Sequence, residues 1–205
     1  MITINKFVKE CLLPNFDGFG YQKSVLFKAP IGDILSGFYF EKVKNHFYIW
    51  CFFQPMFIPS KSIYFTYGKR LGQSAKKFIV DELKTLEKKN EIIEEMNKQM
   101  TLLESINNAS DFYHYFKKSK ESFNTSEGLV LTSCFMNQTH SDQDLLELIN
   151  KIELLQDSNA HLNPSILEIS KQLYHSNQKE RKELFELWRL NTLKELGLSK
   201  WAAAQ

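Results

Sequence analysis

The sequence predicts an α+β protein: an N-terminal helix and a four-stranded antiparallel sheet, followed by an all-helical C-terminal part. Three observations carry that expectation. Residues 1–72 hold 17 of the 28 aromatic side chains and four of the five prolines. The charge changes sign at the same place: nine Lys/Arg minus four Asp/Glu gives +5 up to Gly72, and 17 minus 20 gives −3 beyond it. Links between the aromatic runs are short, which suits an antiparallel meander, whereas parallel crossovers need about a dozen residues or more. An aromatic, turn-rich stretch followed by a Leu/Glu/Lys-rich one reads as strands and then helices. The expected organisation is a sheet region over 1–72 and a helical region over 73–205.

The opening helix is expected from Thr3 to Leu13, because Ile4, Phe7, Val8, Cys11 and Leu12 fall on one apolar stripe. Pro14 stops it, and Asn15-Phe16-Asp17-Gly18 turns the chain. Four strand candidates follow. Phe19–Lys28 is rich in aromatic and β-branched residues; Ile34–Val43 alternates and ends at a short Lys44-Asn45 turn. Phe47–Phe53 is apolar on both faces, as a central strand covered twice would be. Ser62–Tyr67 sets Ile63, Phe65 and Tyr67 against Ser62, Tyr64 and Thr66.

From Gln73 to Ile106 there is neither Gly nor Pro. A single helix of that length would run about 50 Å, more than a small sheet can cover. Two readings stand: a helix broken near Lys89-Asn90 into an antiparallel pair, or a coiled-coil arm with Asn90 setting register, through which the chain would form a homodimer. Start signals then recur. They are Asn108 to Asp111, Asn124 with Glu127, Ser141 with Asp144, Asn163 before Pro164, and Asn177 with Glu180. Gly197 is expected to end the last helix. The tail from Trp201 to Gln205 reads as frayed or dependent on a partner.

Composition excludes several classes of function. With 43% hydrophobic residues and a net charge of +2, the chain is neither disordered nor a polyelectrolyte. Three cysteines make no disulfide framework. The N-terminus lacks the apolar core of a signal peptide, and Phe47–Phe53 is about a third of a bilayer span, so a cytoplasmic location is expected. No phosphate-binding glycine loop, no Gly-x-Ser-x-Gly elbow and no His-Glu-x-x-His occurs. His46, His114, His140, His161 and His175 are dispersed, and Cys11, Cys51 and Cys134 sit in apolar runs. His140-Ser141-Asp142 could offer two ligands, but it also opens a helix. Neither a metal nor a cofactor is expected, and no catalytic residue is nominated.

Two features point to binding. In Thr66-Tyr67-Gly68-Lys69-Arg70-Leu71-Gly72, glycines flank a Lys-Arg pair, giving a tight basic turn at the end of the sheet. Arg70 could fork onto a carboxylate or phosphate, and Tyr67 offers a ring. Lys61 and Tyr64 belong to the same segment, so the candidate partner-binding residues are Lys61, Tyr64, Tyr67, Lys69 and Arg70. The plain alternative is a solvated turn. The second feature is the density of aromatic residues on the sheet. Either helices cover both faces, or one face is a partner surface bearing Tyr39, Tyr48, Trp50 and Tyr64. Lys76-Lys77 and Lys117-Lys118-Ser119-Lys120 read as the wet faces of helices.

A helix ending in Leu12-Leu13-Pro14, then Gly18-Phe19-Gly20, then aromatic strands finishing at Tyr67-Gly68-Lys69, resembles small bacterial domains of unknown function found among immunity proteins for polymorphic toxins. The resemblance spans about residues 3–72. It implies a cytoplasmic protein that binds a partner protein tightly and catalyses nothing. The expectation is therefore a non-enzymatic protein–protein binding module, an immunity or adaptor protein. The alternatives are a nucleic-acid-associated protein using residues 67–72, or an enzyme whose site assembles between sheet and helices.

Overall fold

A computed structural model describes residues 3–72, 76–118, 126–156 and 164–203. The expected order of helix, antiparallel sheet and helices holds. The opening stripe winds as an α-turn, α1 (Ile4–Phe7), then a wider π segment (Val8–Leu12), then a 3₁₀ turn through Pro14 (Leu13–Asn15). The Thr3 hydroxyl caps it by accepting from the Lys6 backbone N–H at 3.2 Å.

Among the described residues the sheet has six strands: β1 (Phe19–Gln22), β2 (Val25–Lys28), β3 (Ile34–Val43), β4 (His46–Pro55), β5 (Gly68–Arg70) and β6 (Phe78–Ile79). The order is β1-β2-β3-β4-β5, with β6 also pairing β4, and every pairing is antiparallel. Three strand expectations need correction. Phe19–Lys28 is a hairpin rather than one strand, because the chain reverses at Lys23, which adopts a φ of 43°. Phe47–Phe53 extends to His46–Pro55, set by the two-residue Lys44-Asn45 turn that pairs Val43 with His46.

Ser62–Tyr67 is irregular, and the strand is its successor, Gly68–Arg70. The alternation is real but serves two cores across the sheet edge. Ile63 and Phe65 pack with one hydrophobic cluster, Tyr64 and Tyr67 with the other. The buried Gln54 amide stands in for a neighbouring strand: its Oε1 accepts from the Tyr64 N–H at 3.3 Å, and its Nε2 donates to the Ser62 carbonyl at 3.4 Å.

Of the expected helical stretch 73–106, the described residues 76–106 form neither one helix nor a pair hinged at Asn90. Phe78 and Ile79 continue the sheet as β6, Val80–Lys84 is a 3₁₀ turn, and α2 (Leu86–Asn97) begins only at a Thr85 cap. A break at Lys98-Gln99 leads to α3 (Met100–Ser105). The physical cause is the sheet: the end of β4 at His46 and Phe47 takes up the residues that sequence periodicity gave to a helix. Asn90 is exposed on α2, while Ile92 and Met96 enter the protein's own core. At twelve residues α2 is about 18 Å long, so no coiled-coil arm projects.

The remaining helices are α4 (Ala109–Lys118), α5 (Ser126–Phe135), α6 (Ser141–Gln156), α7 (Pro164–Tyr174) and α8 (Gln178–Leu196). Asn108 caps α4 by accepting from the Asp111 N–H at 2.9 Å. The Asn177–Glu180 capping box is present in both directions, and Gly197 ends α8 with a φ of 72°. The caps expected at Asn124 and Asn163 lie outside the described residues.

One face of the sheet, with Phe38, Phe40, Phe47, Ile49, Cys51 and Phe53, faces the larger core, closed by residues of α1 to α5. The other face carries Val25, Phe27, Leu35 and Phe52 under Leu193 and Leu196 of α8. Helix α8 serves both cores, since its Phe185 and Trp188 belong to the larger one. The composition boundary at Gly72 is therefore not a boundary between cores. Up to Ala203 the tail is docked rather than frayed. Ile31 donates its N–H to the Trp201 carbonyl at 2.7 Å and accepts from Ala203 at 2.8 Å, and the Trp201 ring meets Phe27 edge-on at 5.4 Å. Residues 204 and 205 lie outside the described part.

Candidate protein-binding face

Side chains alternate across a strand, so neighbours in sequence go to opposite faces. That rule divides the nominated residues. Lys69 opposes Cys51 and lies beside the larger core, whereas Arg70 opposes Trp50 on the other face. The basic pair forms a strand rather than a turn, and its two side chains leave the strand on opposite faces, although both residues border one surface cleft with Lys76 and Lys98. Tyr67 is 3% exposed, held between Phe112 at 4.7 Å and Phe116 at 4.9 Å. Burial pushes its hydroxyl above the ordinary tyrosine value. Tyr64 also turns inward, its hydroxyl sealed without a hydrogen-bond partner, and burial raises its pKa well above the usual value. Lys61 is exposed on the loop before them.

Arg70 packs instead with residues of β3 and β4. Its guanidinium carbon lies 4.1 Å from the Tyr48 ring centroid and 4.8 Å from that of Trp50. Its Nη2 donates to Glu41 Oε2 at 3.0 Å, and the same oxygen accepts from the Trp50 indole N–H at 2.8 Å. Phe65 stacks on Trp50 at 4.5 Å and meets Tyr39 at 5.0 Å. Tyr39, Tyr48, Trp50 and Phe65 are all half-buried, and the Glu41 and Arg70 side chains are 33% and 34% exposed. Of the four side chains named for a partner surface, Tyr39, Tyr48 and Trp50 share this face and Tyr64 does not.

The arrangement follows from local structure. The Lys44-Asn45 turn fixes the β3–β4 register, so Tyr39 pairs with Trp50 and Glu41 with Tyr48. All four then lie on the face of Leu35 and Phe52, where Tyr39 and Phe65 border the cluster that Leu193 and Leu196 close. Glu41 went unnoticed in the sequence, although its position two residues after Tyr39 on a strand places it on the same face. Chemically, the cluster is a rigid aromatic plate with a planar cation fixed between rings and a carboxylate at its centre. A surface ion pair at this exposure contributes little to stability, of the order of 1 kcal/mol or less. Its consequence is preorganisation of large amphipathic side chains, the residue types that dominate interface hot spots.

Two of the three cysteines, Cys51 and Cys134, are buried in the core, and Cys11 is partly buried. Burial pushes the Cys51 and Cys134 thiols up to about 12, which keeps them protonated near neutrality. Among the described residues no three His, Cys, Asp or Glu side chains are grouped to hold a metal ion, and no helix is long and apolar enough to cross a membrane. No protein-family model, no curated protein and no solved structure matches this chain.

Proposed function

We propose that this chain works by binding a partner protein through the open end of its sheet face, as an immunity or adaptor protein does, and that the binding itself is its activity. The observation that supports this is the half-buried plate of Tyr39, Tyr48, Trp50 and Phe65 around Arg70. Trp, Tyr and Arg are enriched in interface centres, and their rigidity here keeps the entropy cost of docking low. The Glu41 carboxylate within the plate favours a protein over nucleic acid, because it would repel phosphates.

The test has two arms. A partner is captured on the immobilised protein, purified, and titrated calorimetrically against wild type, Trp50→Ala, Arg70→Ala and a control on the far side of α8, Lys182→Ala. Each plate variant should weaken binding by about thirtyfold or more, the ~2 kcal/mol of a hot spot, and the control should not. Folded plate variants with wild-type affinity would sink the reading. The second arm is a gel shift with single-stranded and duplex oligonucleotides. Salt-sensitive binding lost in Lys69→Ala/Arg70→Ala would favour the nucleic-acid alternative. Self-association through residues 73–106 would have to use the exposed Ile79 and Leu86 and the charged face of α2, because Ile92 and Met96 are in the core. A monomer by light scattering at high micromolar concentration rejects it.

A further inference from the structure

A cleft of about 320 Å³ opens between the irregular segment 58–67 and helices α5 and α7. A volume of that size takes a small organic ligand. Ile58, Leu131 and Ile166 supply apolar wall, and Tyr64 and Tyr67 supply rings. Glu127, in the first turn of α5, is the one charged side chain lining it among the described residues.

Two polar groups in this wall have no partner among the described residues. The Glu127 carboxyl is half-buried and, among the described residues, accepts no hydrogen bond and forms no ion pair; Lys151 acts on it only at a distance. Burial holds its pKa above the ordinary glutamate value. The hydroxyl of Tyr64, which also lines the cleft, is sealed and has no hydrogen-bond partner. Buried carboxylates are ordinarily paired, and orphaned buried polar groups call for an explanation. A cleft whose single charge among the described residues is a carboxylate with no partner among them is electrostatically complementary to a cation. An anion would be repelled, and a neutral ligand would leave the carboxylate desolvated and unpaired.

We propose that this cleft binds a small organic cation, an alkylammonium group whose nitrogen pairs with the Glu127 carboxylate while its aliphatic body lies against Ile58, Leu131 and Ile166. The site shares no residue with the aromatic plate and does not depend on the protein-binding reading.

The test titrates the full ¹⁵N-labelled chain with n-butylammonium chloride, with n-butanol as the neutral isostere and sodium chloride as the ionic control. Amide shifts over 58–67 and 127–131 should saturate with the amine below roughly 50 mM, a millimolar affinity. n-Butanol should bind at least about tenfold more weakly, and Glu127→Gln should abolish the difference between the two. The proposal fails if amine and alcohol act alike on wild type, if neither saturates, or if folded Glu127→Gln keeps its preference for the amine. The comparison on wild type decides alone should the variant not fold.

Discussion

Gly128→Ala gives the sharpest test of how the basic segment's tyrosine is held. A Cβ built on Gly128 would lie 1.9 Å from Tyr67 Oη and 2.9 Å from its Cζ, against the 3.0 Å that real Cβ contacts respect. The ring is 3% exposed and packs edge-on against both Phe112 and Phe116, so swinging it away would break those contacts. Overpacking of this kind costs about 2–3 kcal/mol. Replacing a helical glycine by alanine returns up to about 1 kcal/mol in propensity. The clash wins, leaving a net loss of about 1–2 kcal/mol. For a chain of this size that lowers Tm by about 2–8 °C. Thermal and urea denaturation followed by circular dichroism measure it. Adding Tyr67→Phe removes the oxygen at 1.9 Å, so the double variant should show a coupling of about 1 kcal/mol or more. A Gly128→Ala protein more stable than wild type would show propensity ruling the position, and the close approach of α5 to Tyr67 would be refuted.

Other expectations can be checked alongside it. Trp201→Ala should destabilise by about 2 kcal/mol, since it empties the edge-on contact with Phe27, and urea midpoints would show it; an unchanged midpoint means the tail is not docked. Glu127 and Asp33 both have carboxyl pKa values raised chiefly by burial. The folded chain therefore keeps protons that the unfolded chain has already lost, so this contribution to stability is present at low pH and lost as pH rises through the raised values. Glu127→Gln should accordingly gain on wild type at pH 7 and lose that advantage towards pH 4; a pH-independent difference would contradict the sign. Arg70→Lys keeps the charge but loses the planar stack on Tyr48 and Trp50, so it should behave like Arg70→Ala in partner titrations; wild-type affinity would show that charge alone matters.

Much of this was legible in the letters because it is decided locally. The Asn177–Glu180 box and Gly197 fix the two ends of α8 through groups a few residues apart, whereas Pro14 lies inside a 3₁₀ turn instead of ending the opening helix. The Lys44-Asn45 turn sets a two-strand register by itself, and with it the pairing of Tyr39 with Trp50 and Glu41 with Tyr48. The α+β order follows from the aromatic-to-leucine shift at Gly72. What only the tertiary structure decided are choices between equally good local options. Residues 78–79 could extend a helix but are drawn into the sheet by an open β4 edge. Residues 62–67 alternate like a strand, yet the Gln54 amide replaces the partner strand and splits them between two cores. Lys69 and Arg70 part company because strand alternation, not their adjacency, sets their direction. Tyr67 becomes core, and Arg70 becomes part of a surface, because packing energy is paid by contacts distant in sequence, which no window of neighbouring residues contains.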